Sequence, residues 1–177
     1  MRSVFTVLVL SLALVLTGCS TGSWRDASRD SANLSPLPSD YSDAIVQVYA
    51  ADVWGWRGIF AVHTWISVKP SNADQYTVLE VIGWRARWGV PVLRIEKDLP
   101  DRYWFGAKPE LVYEKRGEGA DQLIEDILRV SRDYPWANEY TVFPGPNSNT
   151  YPAWVASQIE GFELDMPFRA IGSGWEP

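Results

Sequence analysis

An α+β domain on an antiparallel sheet, about four to six strands with two or three helices, is what this sequence predicts. Three observations predict it. Short runs rich in β-branched and aromatic residues recur between residues 44 and 97. One strongly amphipathic stretch, 119–134, follows them. Turn residues separate these segments, with no internal repeat and no low-complexity stretch inside the domain.

Residues 44–50 (AIVQVYA) open the sheet as the first strand. Residues 52–58 (DVWGWRG) then carry Trp54, Trp56 and Arg57 between glycines, as a turn, an irregular strand edge or the rim of a site. The second strand, 60–69, alternates. Ala61, His63, Trp65 and Ser67 share one face, with Val62, Thr64, Ile66 and Val68 on the other. Pro70-Ser71-Asn72 closes it with turn chemistry. Residues 76–84 (YTVLEVIGW) form a third, antiparallel strand in which Glu80 stands among Val78, Leu79, Val81 and Ile82. Such a carboxylate faces solvent at an edge or has a partner inside. Trp84 to Trp88 alternates Trp with Arg, either as a ligand surface of stacked indole and guanidinium or as a solvated hairpin. Residues 90–97 are a fourth strand and 98–109 a loop holding Tyr103, Trp104 and Phe105.

The stretch 119–134 is a helix whose stripe is Leu123, Ile124, Ile127, Leu128 and Ser131, with acid toward its start and base toward its end. Pro135 stops it. A second helix, 151–159, has Pro152 in its first turn, where a missing N–H costs nothing, and Gly161 past its end. The tail, with Ala170-Ile171-Gly172, reads as a packed arm.

Ahead of the domain, Arg2 precedes an apolar run from Val4 to Leu16 that is too short for a comfortable membrane span. It ends in Leu16-Thr17-Gly18-Cys19, which resembles the lipobox of bacterial lipoproteins. The resemblance implies a signal peptide over 1–18, cleavage before Cys19 and lipidation of that residue, with a membrane as partner through the lipid. Ser20 after the cysteine points to the outer membrane, facing the periplasm. Residues 19–43, rich in Ser, Asp, Asn and Pro, then serve as a flexible tether, and 44–177 form one globular domain.

Composition narrows the chemistry. A net charge of −6 argues against nucleic acid, which needs clustered Lys and Arg. With one histidine and one cysteine, itself the lipidation site, neither a disulfide nor a zinc site is expected, and no cofactor is predicted. Ten tryptophans serve a core or flat contact surfaces.

The candidate site joins His63 to the loop Pro144-Gly145-Pro146-Asn147-Ser148-Asn149-Thr150. Its catalytic candidates are Thr150 or Ser148 as nucleophile, His63 as base and Glu80 as the carboxylate that orients it. Asn147, Asn149, Trp65 and Trp84 are candidates for holding a ligand. Backbone N–H groups at the helix start would serve an oxyanion. The same residues also read as helix caps and a hydrogen-bonded core histidine.

Several of these segments together resemble one uncharacterised bacterial family, domain of unknown function 3750. They are His63-Thr64-Trp65-Ile66 with Lys69, Gly83-Trp84, Trp104-Phe105-Gly106, Tyr134-Pro135, residues 144–150 and Ala170-Ile171-Gly172. The likeness runs from about residue 44 to 174, and Ser173 departs from it where a lysine is expected. The order of His63, Glu80 and Asn149-Thr150 is also similar to circularly permuted papain-like hydrolases, with Thr150 standing where that group has its nucleophilic cysteine. The preferred reading is a lipid-anchored envelope protein whose polar pocket, built from His63 and the Asn147–Thr150 loop, binds a cell-wall or small envelope ligand. A hydrolase or acyltransferase of permuted papain-like type is the alternative. A non-catalytic, Trp-rich interaction module is the third.

Overall fold

The computed structural model describes residues 22–176, so the expected signal segment and Cys19 lie outside the described residues. Five strands form one antiparallel sheet: β1 (Ile45–Asp52), β2 (Val62–Lys69), β3 (Thr77–Val81), β4 (Leu93–Lys97) and β5 (Glu110–Arg116). Their order is β4-β3-β2-β1-β5. The described residues add two α-helices, α1 (Ala120–Arg132) and α2 (Thr150–Ser157), and two 3-10 turns, Gly55–Ile59 and Gly83–Trp88. The architecture is the predicted α+β class.

β1 and β2 pair along their whole length, from Ile45 opposite Lys69 to Asp52 opposite Val62. Every residue of β2 is buried, which its run of β-branched and aromatic side chains fits. β5 is the strand the apolar pattern does not announce. Its only apolar residues are Leu111, Val112 and Tyr113, and the rest are charged. It is an edge strand added to β1, and charge suits an edge because it discourages further pairing.

The two faces of the sheet have different covers. On one, Val46, Val48, Ile66, Val68, Leu79 and Val81 pack against Ile124 and Ile127 of α1 and Tyr151 and Val155 of α2. The helix stripe is as predicted except that Val130 is buried and Leu128 only half-buried. On the other face lie Tyr49, Trp65 and Val78, with Trp104 from the 98–109 loop.

The expectation that residues up to 43 form a flexible tether needs correction: Trp24 already packs on Phe105, and the carbonyls of Ser28 and Asp30 accept from Gly106 N and Tyr103 N. Asp101 accepts hydrogen bonds from Ser31 Oγ (2.8 Å), Leu34 N (2.5 Å) and Ser35 N (3.1 Å). Ser35 Oγ donates to Gln47 Oε1 at 2.8 Å and lies 2.8 Å from the Tyr49 hydroxyl. Tyr76 donates to the Pro36 carbonyl, and Lys69 Nζ to that of Asp43. The segment is polar because what it covers is polar. It satisfies buried hydroxyl, amide and ammonium groups that no helix reaches.

Because neighbouring strands run oppositely, the β1–β2 and β3–β4 connections leave the sheet at the same end. Both 3-10 turns therefore sit together there. Tyr140 fills the space over Gly83, where a Cβ would strike its ring. The C-terminal arm packs at this end. Arg169 O accepts from Val62 N, and Arg169 Nη1 donates to Gly58 O (2.6 Å) and pairs with Asp52 (2.7 Å). No helix among the described residues is long and apolar enough to cross a membrane.

Candidate functional site

His63 sits near the start of β2 with its ring on the sheet face away from the helices. Its Nε2 lies 3.0 Å from Glu80 Oε2. Glu80 is fully buried in β3, directly opposite Arg94 of β4 in the hairpin register. Its Oε1 accepts from Arg94 Nη1 at 2.7 Å and Arg102 Nη2 at 2.6 Å. Asp98 takes Arg94 Nη2 at 2.8 Å. The imidazole stacks face to face on Trp104, with ring centres 3.6 Å apart and planes within 8°. Arg102 lies 5.5 Å from the ring centres of both Trp65 and Trp104, and its buried Nη1 has no hydrogen-bond partner among the described residues. Trp84 continues the stack against Trp104 and reaches solvent.

Burial by itself would raise the Glu80 pKa. The hydrogen bond from His63, the Arg102 charge and the hydrogen bond from Arg94 overcome it and hold the carboxyl at about 2. Burial lowers the His63 pKa below its usual range, with Glu80 opposing it and Arg102 assisting. The lowered direction is physically sound because Glu80 already shares its charge between two arginines. A neutral ring donating from Nε2 to an ionised Glu80 leaves Nδ1 as a bare acceptor. His63 is thus an oriented neutral base, only 4% exposed.

The Asn147–Thr150 loop is on the opposite face. Thr64, next to His63 in β2, points the other way, and its Oγ1 lies 3.1 Å from Asn149 Oδ1 and 3.2 Å from Ser148 O. Asn147 Oδ1 accepts from the N–H groups of Asn149 (2.9 Å) and Thr150 (3.3 Å), so Asn147 covers the orphan donors at the start of α2. Its Nδ2 donates to Val142 O. Asn149 Nδ2 donates to Ile171 O at 2.9 Å. The Thr150 hydroxyl accepts from Asn147 N at 3.0 Å and donates to Gly172 O at 2.8 Å. The loop is a clip that fastens α2, the sheet and the C-terminal arm. Gly172 belongs to it: its φ is 91°, and a Cβ there would collide with the Asn147 amide.

The pocket expected from His63 with Asn147, Ser148, Asn149 and Thr150 is therefore not formed, because consecutive residues of one strand carry the two halves to opposite faces. His63 and Glu80 do meet, on the face away from that loop. Thr150 is a buried, fully bonded hydroxyl, and Ser148 is buried beside Tyr140. The other hydroxyl on the His63 face of β2, Ser67, lies four residues along, about 13 Å away at the strand rise. Trp65, expected to hold a ligand, is core: it is fully buried, and its indole N–H donates to Pro100 O at 2.7 Å. Trp84 remains at the surface.

Sequence reasoning missed Arg94, Arg102, Trp104 and Asp101. Arg94 had a usable signal, since a β3–β4 hairpin in register puts it opposite Glu80. Arg102 and Trp104 come from an irregular loop, where no periodicity reports direction. No three His, Cys, Asp or Glu side chains among the described residues converge as a metal site would require. A family model described as a protein of unknown function, DUF3750, matches residues 43–175. No curated protein and no solved structure matches the chain.

Proposed function

The chain belongs to the DUF3750 family of proteins of unknown function, and from that premise we propose a lipid-anchored envelope protein that binds its ligand rather than transforming it. The binding end is the sheet end that carries the two Trp- and Arg-bearing 3-10 turns. One observation carries the non-catalytic reading. The only base of the expected set, His63, and its expected nucleophiles, Thr150 and Ser148, occupy opposite faces of β2, and the Thr150 hydroxyl is consumed by Asn147 and Gly172. A hydroxyl without a base cannot be activated at neutral pH.

The buried network then has a structural task. Glu80, Arg94, Arg102 and His63 hold Trp104 and, through it, Trp84 at the rim of the molecule. Lipid anchoring at Cys19 and an outer-membrane site facing the periplasm belong to this proposal and rest on the lipobox-like Leu16-Thr17-Gly18-Cys19.

Two measurements test it together. Feeding cells an alkyne fatty acid should label the wild-type chain and not Cys19→Ala. A serine- and threonine-directed acylating probe should leave the purified protein unlabelled. Labelling of Ser148 or Thr150 that disappears in a folded His63→Ala variant would overturn the non-catalytic reading.

A further inference from the structure

The surface at this end of the sheet is unlike the rest of the molecule. Trp56, Ile59, Phe60, Trp88, Val142 and Phe143 are large apolar residues, each at least 59% exposed. Elsewhere on the described surface only Leu37 and Phe168 are more than half exposed among large apolar residues, and Phe168 adjoins Arg169, which bonds Gly58 at the same end. All six belong to connections that meet there: the two 3-10 turns with their flanks, and the 140–148 loop held by Tyr140 against Gly83. A soluble domain rarely gathers so much exposed apolar surface without a partner for it.

The charges at this end point to what the partner is. The segments 54–60 and 83–90 contain Arg57, Arg85 and Arg87 and no acidic residue, in a chain whose net charge is −6. Arg85 donates to Pro91 O and sits 3.9 Å from Glu96. Arg57 and Arg87 are exposed and form no ion pair among the described residues. Exposed tryptophan and phenylalanine interleaved with arginine match the headgroup region of a bilayer. There indoles take the boundary between acyl chain and water while guanidinium groups meet phosphate.

The expected anchor is also close to this end. Trp24 packs on Phe105 with ring centres 6.2 Å apart, and Phe105 meets Trp84 edge-on at 5.7 Å. Trp24 is therefore held beside the aromatic end. The five residues from Cys19 to Trp24 reach at most about 18 Å when fully extended. A lipid on Cys19 keeps a bilayer within that reach of the same end.

We infer that this aromatic and basic end docks on the bilayer interface, so that the domain sits against the membrane with the 3-10 turns Gly55–Ile59 and Gly83–Trp88 in the headgroup layer. The inference rests on lipid anchoring at Cys19 and specifies the ligand of the proposed binding end as anionic lipid.

The test uses the mature, lipidated full chain in vesicles of phosphatidylethanolamine with phosphatidylglycerol. With Cys19 blocked by its lipid, an introduced cysteine is the one thiol available to a fluorophore. Ala86→Cys places a label at the rim, and Gln75→Cys places one on the β2–β3 connection at the opposite end. Lipids bearing a quencher should reduce emission at position 86 at least threefold more than at 75. Replacing both Trp56 and Trp88 by Ser should remove that difference while the melting temperature holds. Arg57→Glu should shift the docked fraction about fivefold in anionic vesicles and little in phosphatidylcholine. Equal, weak quenching at both positions in a chain that floats with the vesicles overturns the docking and leaves the anchor standing. Failure to float overturns anchor and docking together. Shielding of position 86 by soluble cell-wall fragments or by self-association, without quenching by lipid, overturns the bilayer as partner.

Discussion

Glu80→Gln tests the buried network most directly. The substitution keeps shape and one acceptor but removes the charge shared by His63, Arg94 and Arg102. Removing one member of a buried ion pair costs about 3–5 kcal/mol, because the remaining charge stays desolvated. Asp98 still serves Arg94 at 2.8 Å, and Arg94 is partly exposed, so the lower end applies, about 3 kcal/mol. Glu80 drops from an ordinary 4.5 to about 2, and at about 1.4 kcal/mol per unit that is again on the order of 3 kcal/mol. The sign follows from proton binding. The unfolded chain takes up a proton near pH 4.5 and the folded protein only near 2, so this stability is complete above about 4.5 and is lost as pH falls toward 2. Denaturant titration of the protein, followed by near-UV circular dichroism of the stacked tryptophans, should show the full loss at pH 7. The gap between wild type and Glu80→Gln should close between pH 4.5 and 2. A loss under about 1 kcal/mol at neutral pH, or a gap that does not narrow in acid, would refute the reasoning.

Three further outcomes follow from the same geometry. Thr150→Val should cost about 2–4 kcal/mol by orphaning Asn147 N–H and Gly172 C=O, while Thr150→Ser should cost about 1 kcal/mol; equal stability of the two in urea titrations would contradict the clip. Gly172→Ala, placing a Cβ at positive φ against Asn147, should cost about 1–3 kcal/mol and expose the C-terminal arm to limited proteolysis. His63 is the only histidine, so its ring resonances are unambiguous. They should report an Nε2–H tautomer and a midpoint below 6.5, with the associated stability falling as pH drops below that value; a midpoint above 6.5 would show that Glu80, not burial, governs the ring.

How far the sequence carried differs between elements for physical reasons. β1, β2 and β3 were legible because they are buried, and burial selects the β-branched and aromatic residues that mark strands. α1 was legible because one face packs and the other is wet, which writes a helical period into the residues. β5 was not, since an edge strand with half its side chains in water needs no such composition. The segment 31–43 was not, because its low hydrophobicity matches disorder as well as it matches a cover for Gln47, Tyr49 and Asp101.

The sequence by itself determined the α+β class and the family, and it left Glu80 open between a wet edge and a partner inside; the structure supplied that partner, His63. The sequence also determined, through simple alternation, that His63 and Thr64 point oppositely. Only the tertiary structure decided which of the two faces receives the Asn147–Thr150 loop. That choice is made by α2 packing against Ile66 and Leu79, a contact between segments some eighty residues apart that no local pattern encodes. Had the helices covered the other face, the loop would have lain on the side of His63. Because they cover this one, the loop is a clip and the histidine a strut.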